Sequence, residues 1–230
     1  IVYKMEQNIP LVSICVITYN SAKYVVETLD SAKSQTYKNI ELIISDDCSA
    51  DNTVEICKKW IECNGSVFKR IELLQSATNT GVSANLNRAY SACKGEWVKA
   101  IAGDDILLEN CIADNINYLE YNPEAEIVFS KVQPFGDSSA IERMNKVFSK
   151  SYAKLCLTQK DINKLLLCGN FIPAATTFMK KYVWEQSGGY DENIPLMEDW
   201  PFWIKVGHMN KRFYFNPIET VKYRMHEKSL

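Results

Sequence analysis

Residues 12–20 read Val-Ser-Ile-Cys-Val-Ile-Thr-Tyr-Asn, an almost unbroken apolar run that ends in three polar side chains. A strand with one wet face alternates apolar and polar residues. A continuous run instead marks a strand buried on both faces, as in a parallel sheet covered by helices on each side. The stretch therefore predicts an α/β fold, with Thr18, Tyr19 and Asn20 at the carboxyl end of its first strand. Open sheets of this class bind ligands in the crevice at such ends.

Outward from this strand, β-branched runs alternate with amphipathic segments through the first half of the chain. Asn20 or Ser21 is placed to cap a helix with Val25, Val26, Leu29 and Ala32 inward. Ile40 to Ser45 reads as a second strand, and Asp51, Asn52 and Thr53 open a helix with Val54, Cys57, Trp60 and Ile61 inward. A third strand is expected near 70–74, and a helix from 82 to 93 that Gly95 would end. Trp97 to Ala102 is a fourth strand, running directly into Gly103-Asp104-Asp105. Beyond it the rhythm breaks. A helix over 108–121 and a strand over 127–130 lead to a polar stretch, Pro134 to Lys150, expected to be a long loop. A short helix over 161–168, a strand over 174–179, a stop at Gly188-Gly189 and a helix opening at Glu198-Asp199 complete the expected order.

With 230 residues, 47% of them hydrophobic, the chain can bury one sizeable core, so a single domain over 1–230 is expected. The formal charge of −2 and the lack of a like-charge block argue against a nucleic-acid partner. Eight cysteines occur without a C-x-x-C pair, which removes the common zinc and thioredoxin motifs. Several, including Cys15, Cys93 and Cys168, are expected to act as small hydrophobes, and a reducing, cytoplasmic compartment fits them. No apolar run approaches the ~20 residues of a spanning helix. The chain starts at Ile1 without an initiator Met, so native sequence is expected to be missing at an end.

Three strand ends carry chemistry. Tyr19 can stack on a nucleobase and Asp47 can accept protons from its edge; equally, Tyr19 can be a rim aromatic and Asp46 to Asp51 a turn. Asp104-Asp105 closes a buried strand, where unpaired charge is costly. A hard divalent cation bridging to a diphosphate would offset that cost, and Gly103 would leave room for the ligand; the alternative is a helix cap. Glu198-Asp199 precedes Trp200-Pro201-Phe202-Trp203. One of these acids can serve as a general base with a raised pKa, or both can simply favour a helix N-terminus. Of the two histidines, His208 reads as a partner for a helix C-terminus, whereas His226, with Arg224 and Lys228, can meet a diphosphate or metal or lie in a solvated turn.

These pieces in order resemble family 2 glycosyltransferases of the GT-A fold. The resemblance rests on residues 12–20, Ser34-Gln35-Thr36-Tyr37, residues 43–51, Asn79-Thr80-Gly81 with Asn87, Lys94-Gly95-Glu96-Trp97, Ala102-Gly103-Asp104-Asp105, Gly188-Gly189-Tyr190-Asp191, Glu198-Asp199 and Tyr223-Arg224-Met225-His226. It implies a Rossmann-like, mostly parallel sheet, with a nucleotide-binding half over about 10–107 and an acceptor-binding half over about 108–230. It also implies an inverting, metal-dependent transferase. Thr18, Tyr19, Asn20, Asp47, Gly81 and Asp104 would bind the nucleotide of a nucleotide-diphospho-sugar, with a uridine base favoured. Asp105, with His226 beside it, would hold Mn or Mg, and Asp199, or Glu198 as second choice, would deprotonate the acceptor. That acceptor would be a glycan or lipid-linked glycan of a bacterial surface polysaccharide, with peripheral association at the inner membrane face in keeping with it. The oligomeric state is not fixed by the resemblance.

Two positions depart from the family pattern. The first acid of the usual D-x-D is absent, and Cys48 stands where the Asp-Asp-Gly-Ser turn has glycine. A nucleotidyltransferase of related fold is the closest rival enzyme, but Tyr19-Asn20-Ser21-Ala22-Lys23 lacks the glycine-rich phosphate loop expected of it. A non-catalytic nucleotide-sugar-binding module is the rival of another class.

Overall fold

The computed structural model describes residues 9–194 and 197–226. Four strands, β1 (Val12–Thr18), β2 (Ile40–Asp46), β3 (Ile71–Gln75) and β4 (Trp97–Ala102), form a parallel half-sheet in the order β3-β2-β1-β4. Helices α1 (Val25–Lys33), α2 (Thr53–Asn64) and α3 (Val82–Ala92) connect them. The apolar run behaves as read: Val12, Ile14 and Val16 join a core with Leu29, Cys57 and Trp60, while Cys15 joins the opposite core with Leu86, Ala89 and Tyr90.

The second half extends the same sheet. It comprises β5 (Ile106–Leu107), α4 (Cys111–Tyr121), β6 (Ile127–Gly136), α5 (Ser138–Leu155), α6 (Gln159–Leu166), β7 (Phe178–Lys180), α7 (Lys181–Ser187), α8 (Asp199–His208) and β8 (Phe213–Met225). The full order is β3-β2-β1-β4-β7-β6-β8-β5. β7 runs antiparallel to β4 and β6, β6 runs parallel to β8, and β5 pairs antiparallel with β8. The result is the mostly parallel α/β sheet expected, flanked by helices.

Several local expectations are corrected. The stretch 134–150 is not a loop: β6 continues to Gly136, and Asp137 caps α5 by accepting from the Ala140 N–H at 2.9 Å. Its polarity reflects the solvated face of an amphipathic helix rather than a lack of structure. Neither Asn20 nor Ser21 caps α1, which starts after Tyr24 without a side-chain cap, and Val26 faces solvent at 41% exposure. Gly95 does not end α3. The chain leaves that helix at Cys93 in extended backbone, and Gly95 sits where an added Cβ would lie 2.6 Å from the Ser13 backbone nitrogen. Its N–H donates to Ser13 Oγ and to the buried Glu41 carboxylate. Gly188 does act as the expected stop, in the left-handed region at φ 75° after α7. Cys15 and Cys93 are buried, but Cys168 is exposed.

Candidate functional site

The strand order reverses direction between β1 and β4, and the ends of those strands open a cleft of ≈ 640 Å³. Such a switch point separates the connecting loops and leaves a crevice at the carboxyl ends. Thr18, Tyr19, Asn20, Asp47, Gly81, Asp104 and His226 all line it, so seven of the ten residues singled out from the sequence meet in one cavity.

Their roles divide by geometry. Tyr19 stands at the rim, 51% exposed, with its ring free to cover a planar ligand. Thr18 is buried, and its hydroxyl donates to Asp46 Oδ2 at 2.8 Å. Asn20, at φ 51°, ties the two loops together: its N–H donates to Ser49 Oγ and its side-chain oxygen accepts from Ala50. Asp46 accepts from both the N–H and the hydroxyl of Ser49, so it is the turn former of the acidic pair.

Asp47 reaches into the cleft but already has partners. Oδ1 accepts from the Thr80 hydroxyl at 2.6 Å and Arg88 at 3.2 Å; Oδ2 accepts from the Thr80 and Gly81 N–H groups. A carboxylate offers about four lone-pair sites. Burial raises the Asp47 pKa, but these bonds outweigh it and hold the carboxyl below its ordinary range. Asp47 thus fixes the loop 79–81, and Gly81, at φ 87° with open space where a Cβ would be, starts α3 beneath it. In the sequence Thr80 stood out only as part of Asn79-Thr80-Gly81, and Arg88 was not singled out.

At the other end of the cleft, Asp104 Oδ2 lies 2.9 Å from His226 Nε2. Asp105 points elsewhere. It is 3% exposed, and its Oδ1 accepts the Arg224 backbone N–H at 2.8 Å. Burial raises its pKa to about 7, against the Arg224 hydrogen bond that lowers it. Only Asp104 of this pair therefore faces the cleft, a placement that differs from the assignment of Asp105 as the cation ligand. Nor does Gly103 leave space for a ligand, since a Cβ there would meet Thr18 Cγ2 at 2.9 Å and Ser21 Oγ at 3.0 Å. The glycine lets the cleft floor pack.

Arg224 is also placed differently from expectation. Its guanidinium is sandwiched between the rings of Tyr24 and Phe135, at 4.2 and 4.4 Å from their centroids, pairs with Glu27 at 2.7 Å, and donates through Nε to the Asp104 carbonyl. It is a strut under the Asp104-Asp105 turn, not an arm reaching for a diphosphate. Lys228 lies outside the described residues.

A second cavity of ≈ 200 Å³ shares Ile17, Val82 and Ala102 with the cleft and is lined by Asp105, Glu198, Asp199 and Tyr223. Asp199 opens α8; its Oδ2 accepts from Asn170 Nδ2 at 2.8 Å and its Oδ1 from the Trp200 N–H at 2.7 Å. Burial raises the pKa of both Glu198 and Asp199, in Asp199 against the Asn170 bond and in Glu198 with help from the neighbouring Asp199 charge. Burial likewise pushes the Tyr223 hydroxyl up to about 12. Glu198, Asp199 and Tyr223 also border a third groove, of ≈ 280 Å³, between α5 and residues 170–175. The aromatic residues after Asp199 pack inward: Phe202 and Trp203 are buried in the core, and Trp200 Nε1 donates to the Leu166 carbonyl. His208 ends α8, with its ring Nδ1 3.0 Å from the Ile204 carbonyl, as its position in the sequence suggested.

A family model described as glycosyl transferase family 2 matches residues 13–186, more than half of the chain. The chain belongs to glycosyl transferase family 2. Proteins named as glycosyltransferases align with it. A glycosyltransferase of Haemophilus influenzae is 28% identical over 226 residues, covering 96% of this chain and 67% of the relative. Glycosyltransferase GlyG of Streptococcus pneumoniae is 29% identical over 156 residues, 68% of this chain and 49% of that protein. Among solved structures, residues 1–349 of S. aureus TarS in complex with UDP superpose with a TM-score of 0.71 at 20% identity, covering 93% of this chain. Mannosyltransferase PcManGT from Pyrobaculum calidifontis, in complex with GDP-Man and Mn2+, superposes with a TM-score of 0.72 at 20% identity over 95% of this chain. The fold is thus the GT-A glycosyltransferase fold. The chain spans about 60% of each of those two solved chains.

Proposed function

We propose that the protein transfers a sugar from a nucleotide-diphospho-sugar to an acceptor hydroxyl, with inversion at the anomeric carbon. The observation that carries this is the shared wall. Ile17, Val82 and Ala102 line both the cleft that holds Asp104 and the cavity that holds Asp199, so a donor in the first can present its anomeric carbon to a base in the second.

Tyr19 covers the base and the Asn79-Thr80-Gly81 loop borders it. Uridine is favoured, the base N–H replacing the long Arg88 bond on Asp47. The diphosphate then lies toward Asp104 and His226. Among the described residues no cluster of three or more metal-ligating side chains exists. The Asp104 carboxylate, with His226 beside it, would hold a divalent cation, Mn or Mg, since hard cations prefer carboxylate oxygen. When bound, such an ion would stabilise the charge of the departing nucleoside diphosphate.

The other steps belong to side chains. Asp199, oriented by Asn170, accepts the proton of the acceptor hydroxyl, and that oxygen attacks the anomeric carbon from the face opposite the diphosphate. Glu198, one residue earlier and likewise half-buried, is the second choice of base. A surface glycan or lipid-linked glycan, as in bacterial polysaccharide synthesis, is the proposed acceptor class. No helix among the described residues is long and apolar enough to cross a membrane.

The test is donor turnover and product stereochemistry in the wild type and in Asp199→Asn. Loss of turnover with donor binding retained, and an inverted product from the wild type, are expected. Unchanged turnover in Asp199→Asn rejects the base, and net retention rejects the displacement.

A further inference from the structure

Residues 188–194, which follow α7, are tied to α3 by one side chain. Asn87 Oδ1 accepts from the Trp184 indole N–H at 3.1 Å and from the Tyr190 N–H at 2.9 Å. Its Nδ2 donates to the Tyr190 carbonyl at 2.9 Å and to Glu192 Oε1 at 2.8 Å. A side-chain amide has two donors and two acceptor sites, so all of them are committed here. Gly189 permits the close approach: it sits at φ 76°, and a Cβ there would lie 2.7 Å from Asn87 Oδ1. Lys205 of α8 holds the Gly189 carbonyl from the other side at 2.9 Å.

The segment fixed in this way runs from one cavity to the other. Tyr190 lines the cavity of Asp199, whereas Glu192 and Ile194 line the nucleotide cleft. Val82, on the wall that the two cavities share, belongs to the same helix as Asn87. Glu192 therefore borders the cleft on a segment that leads toward Asp199, which is the direction in which the sugar of a bound donor would extend.

Three carboxylates line the cleft, and they differ in their remaining capacity. Asp47 is committed to Thr80, Gly81 and Arg88, and Asp104 faces His226. Glu192 has the Asn87 amide on Oε1, and among the described residues Oε2 has no hydrogen-bond partner. An anionic side chain repels a diphosphate, so the part of a donor that suits it is the uncharged part. A carboxylate only accepts, and adjacent hydroxyls on a sugar ring are the donors it lacks; such bonds to a charged acceptor are among the stronger ones.

We propose that Glu192, oriented by Asn87, accepts hydrogen bonds from hydroxyls of the donor's sugar and so selects donors whose sugar is uncharged. The inference rests on the reading of the cleft as a nucleotide-sugar site and adds the group that reads the sugar. A sugar carrying its own carboxylate is disfavoured there by like-charge repulsion.

The experiment is calorimetric titration of the 230-residue chain and of Glu192→Ala, Glu192→Gln and Asn87→Asp in the presence of Mn. The probes are UDP, UDP-glucose, UDP-galactose and UDP-glucuronate, with GDP and GDP-mannose. The quantity read is the affinity of each sugar nucleotide divided by that of its own nucleoside diphosphate. Glu192→Ala should lower this ratio about tenfold for the preferred neutral donor and raise it for UDP-glucuronate, with the nucleoside diphosphates themselves changed by less than about twofold. Glu192→Gln keeps an acceptor oxygen without the charge and should fall between. Asn87→Asp keeps the acceptor for Trp184 and the Tyr190 N–H but sets a like charge against Glu192, and should lower the ratio about as far as Glu192→Ala. Glu192 is exposed, so its truncation leaves the core intact, and a merely structural loss in any variant would lower nucleoside diphosphate affinity as well. An unchanged ratio in Glu192→Ala, or equal losses for a nucleoside diphosphate and its sugar, overturns the proposal and leaves the nucleotide site standing. Binding of no nucleotide by the wild type overturns the donor reading and this inference with it.

Discussion

His226 Nε2 lies 2.9 Å from Asp104 Oδ2, across 122 positions of sequence. The pair forms because β8 runs alongside β5 and β6 and returns its carboxyl end to the end of β4. If these groups hold the cation, Asp104→Asn and His226→Ala should each weaken divalent-dependent donor binding by about 10- to 100-fold. Asp105→Asn should have a much smaller effect, because its side chain is buried away from the cleft. Manganese titrations of donor binding by calorimetry separate the two carboxylates; equal losses at 104 and 105 would return the ligand role to Asp105.

Arg224 supports that pair from below. Arg224→Ala removes two ring contacts, the Glu27 pair and the bond to the Asp104 carbonyl, and should destabilise the fold by about 2–3 kcal/mol. Arg224→Lys should recover less than half of this, since an ammonium cannot stack flat between two rings. Urea unfolding measures both, and an Arg224→Lys variant as stable as wild type contradicts the stacking role.

Cys48 adopts φ 65°, a left-handed conformation that costs a residue with a Cβ about 1 kcal/mol relative to glycine. Its side chain is exposed, so Cys48→Gly removes little packing. The substitution should stabilise the protein by about 0.5–1 kcal/mol in urea unfolding. Destabilisation would show that the Cys48 thiol contributes more than the backbone strain costs.

The fate of Cys48 illustrates what the sequence made legible. The turn was readable because Asp46, Asp47 and Ser49 remain in place, and the residue that replaced glycine kept the glycine conformation. The parallel half was readable for a similar reason: strands buried on both faces have one pattern, and each ends in polar residues. The second half hid itself because β8 contains Pro217, carries charged residues and has no regular alternation of buried and exposed positions, and α5 presents a polar face that mimics a loop. Which of Asp104 and Asp105 faces the cleft was not legible at all. Gly103 and Asp104 form a turn in which the Asp105 N–H donates to the Ala102 carbonyl, so the choice depends on the geometry of that turn and on the Arg224 N–H that captures Asp105. The lone-pair occupancy of Asp47 was equally hidden, as it depends on where α3 brings Thr80, Gly81 and Arg88.

Burial raises the Asp199 pKa, so protonation removes the base at a pH above the ordinary carboxylate range. The kcat/KM profile should therefore fall as pH drops through this raised value, and Asp199→Asn should lower kcat by about 10²- to 10⁴-fold without that limb. Stability has the opposite sign. A raised carboxyl contributes stability that is full below its unfolded pKa near 4 and is lost as pH rises through the folded value. Asp199→Asn should accordingly be at least as stable as wild type at neutral pH. Marked destabilisation of the variant there would contradict a half-buried carboxyl whose charged form the site disfavours.

Nucleotide binding in the cleft between β1 and β4 underlies all of these expectations. The most direct measurement is thermal unfolding of the wild type with uridine and guanosine diphosphates and their sugars, each with and without Mn. A rise in Tm with a nucleoside diphosphate, larger with Mn, and with the Mn-dependent increment lost in Asp104→Asn, is the expected result. Stabilisation by no nucleotide, with or without Mn, would contradict it.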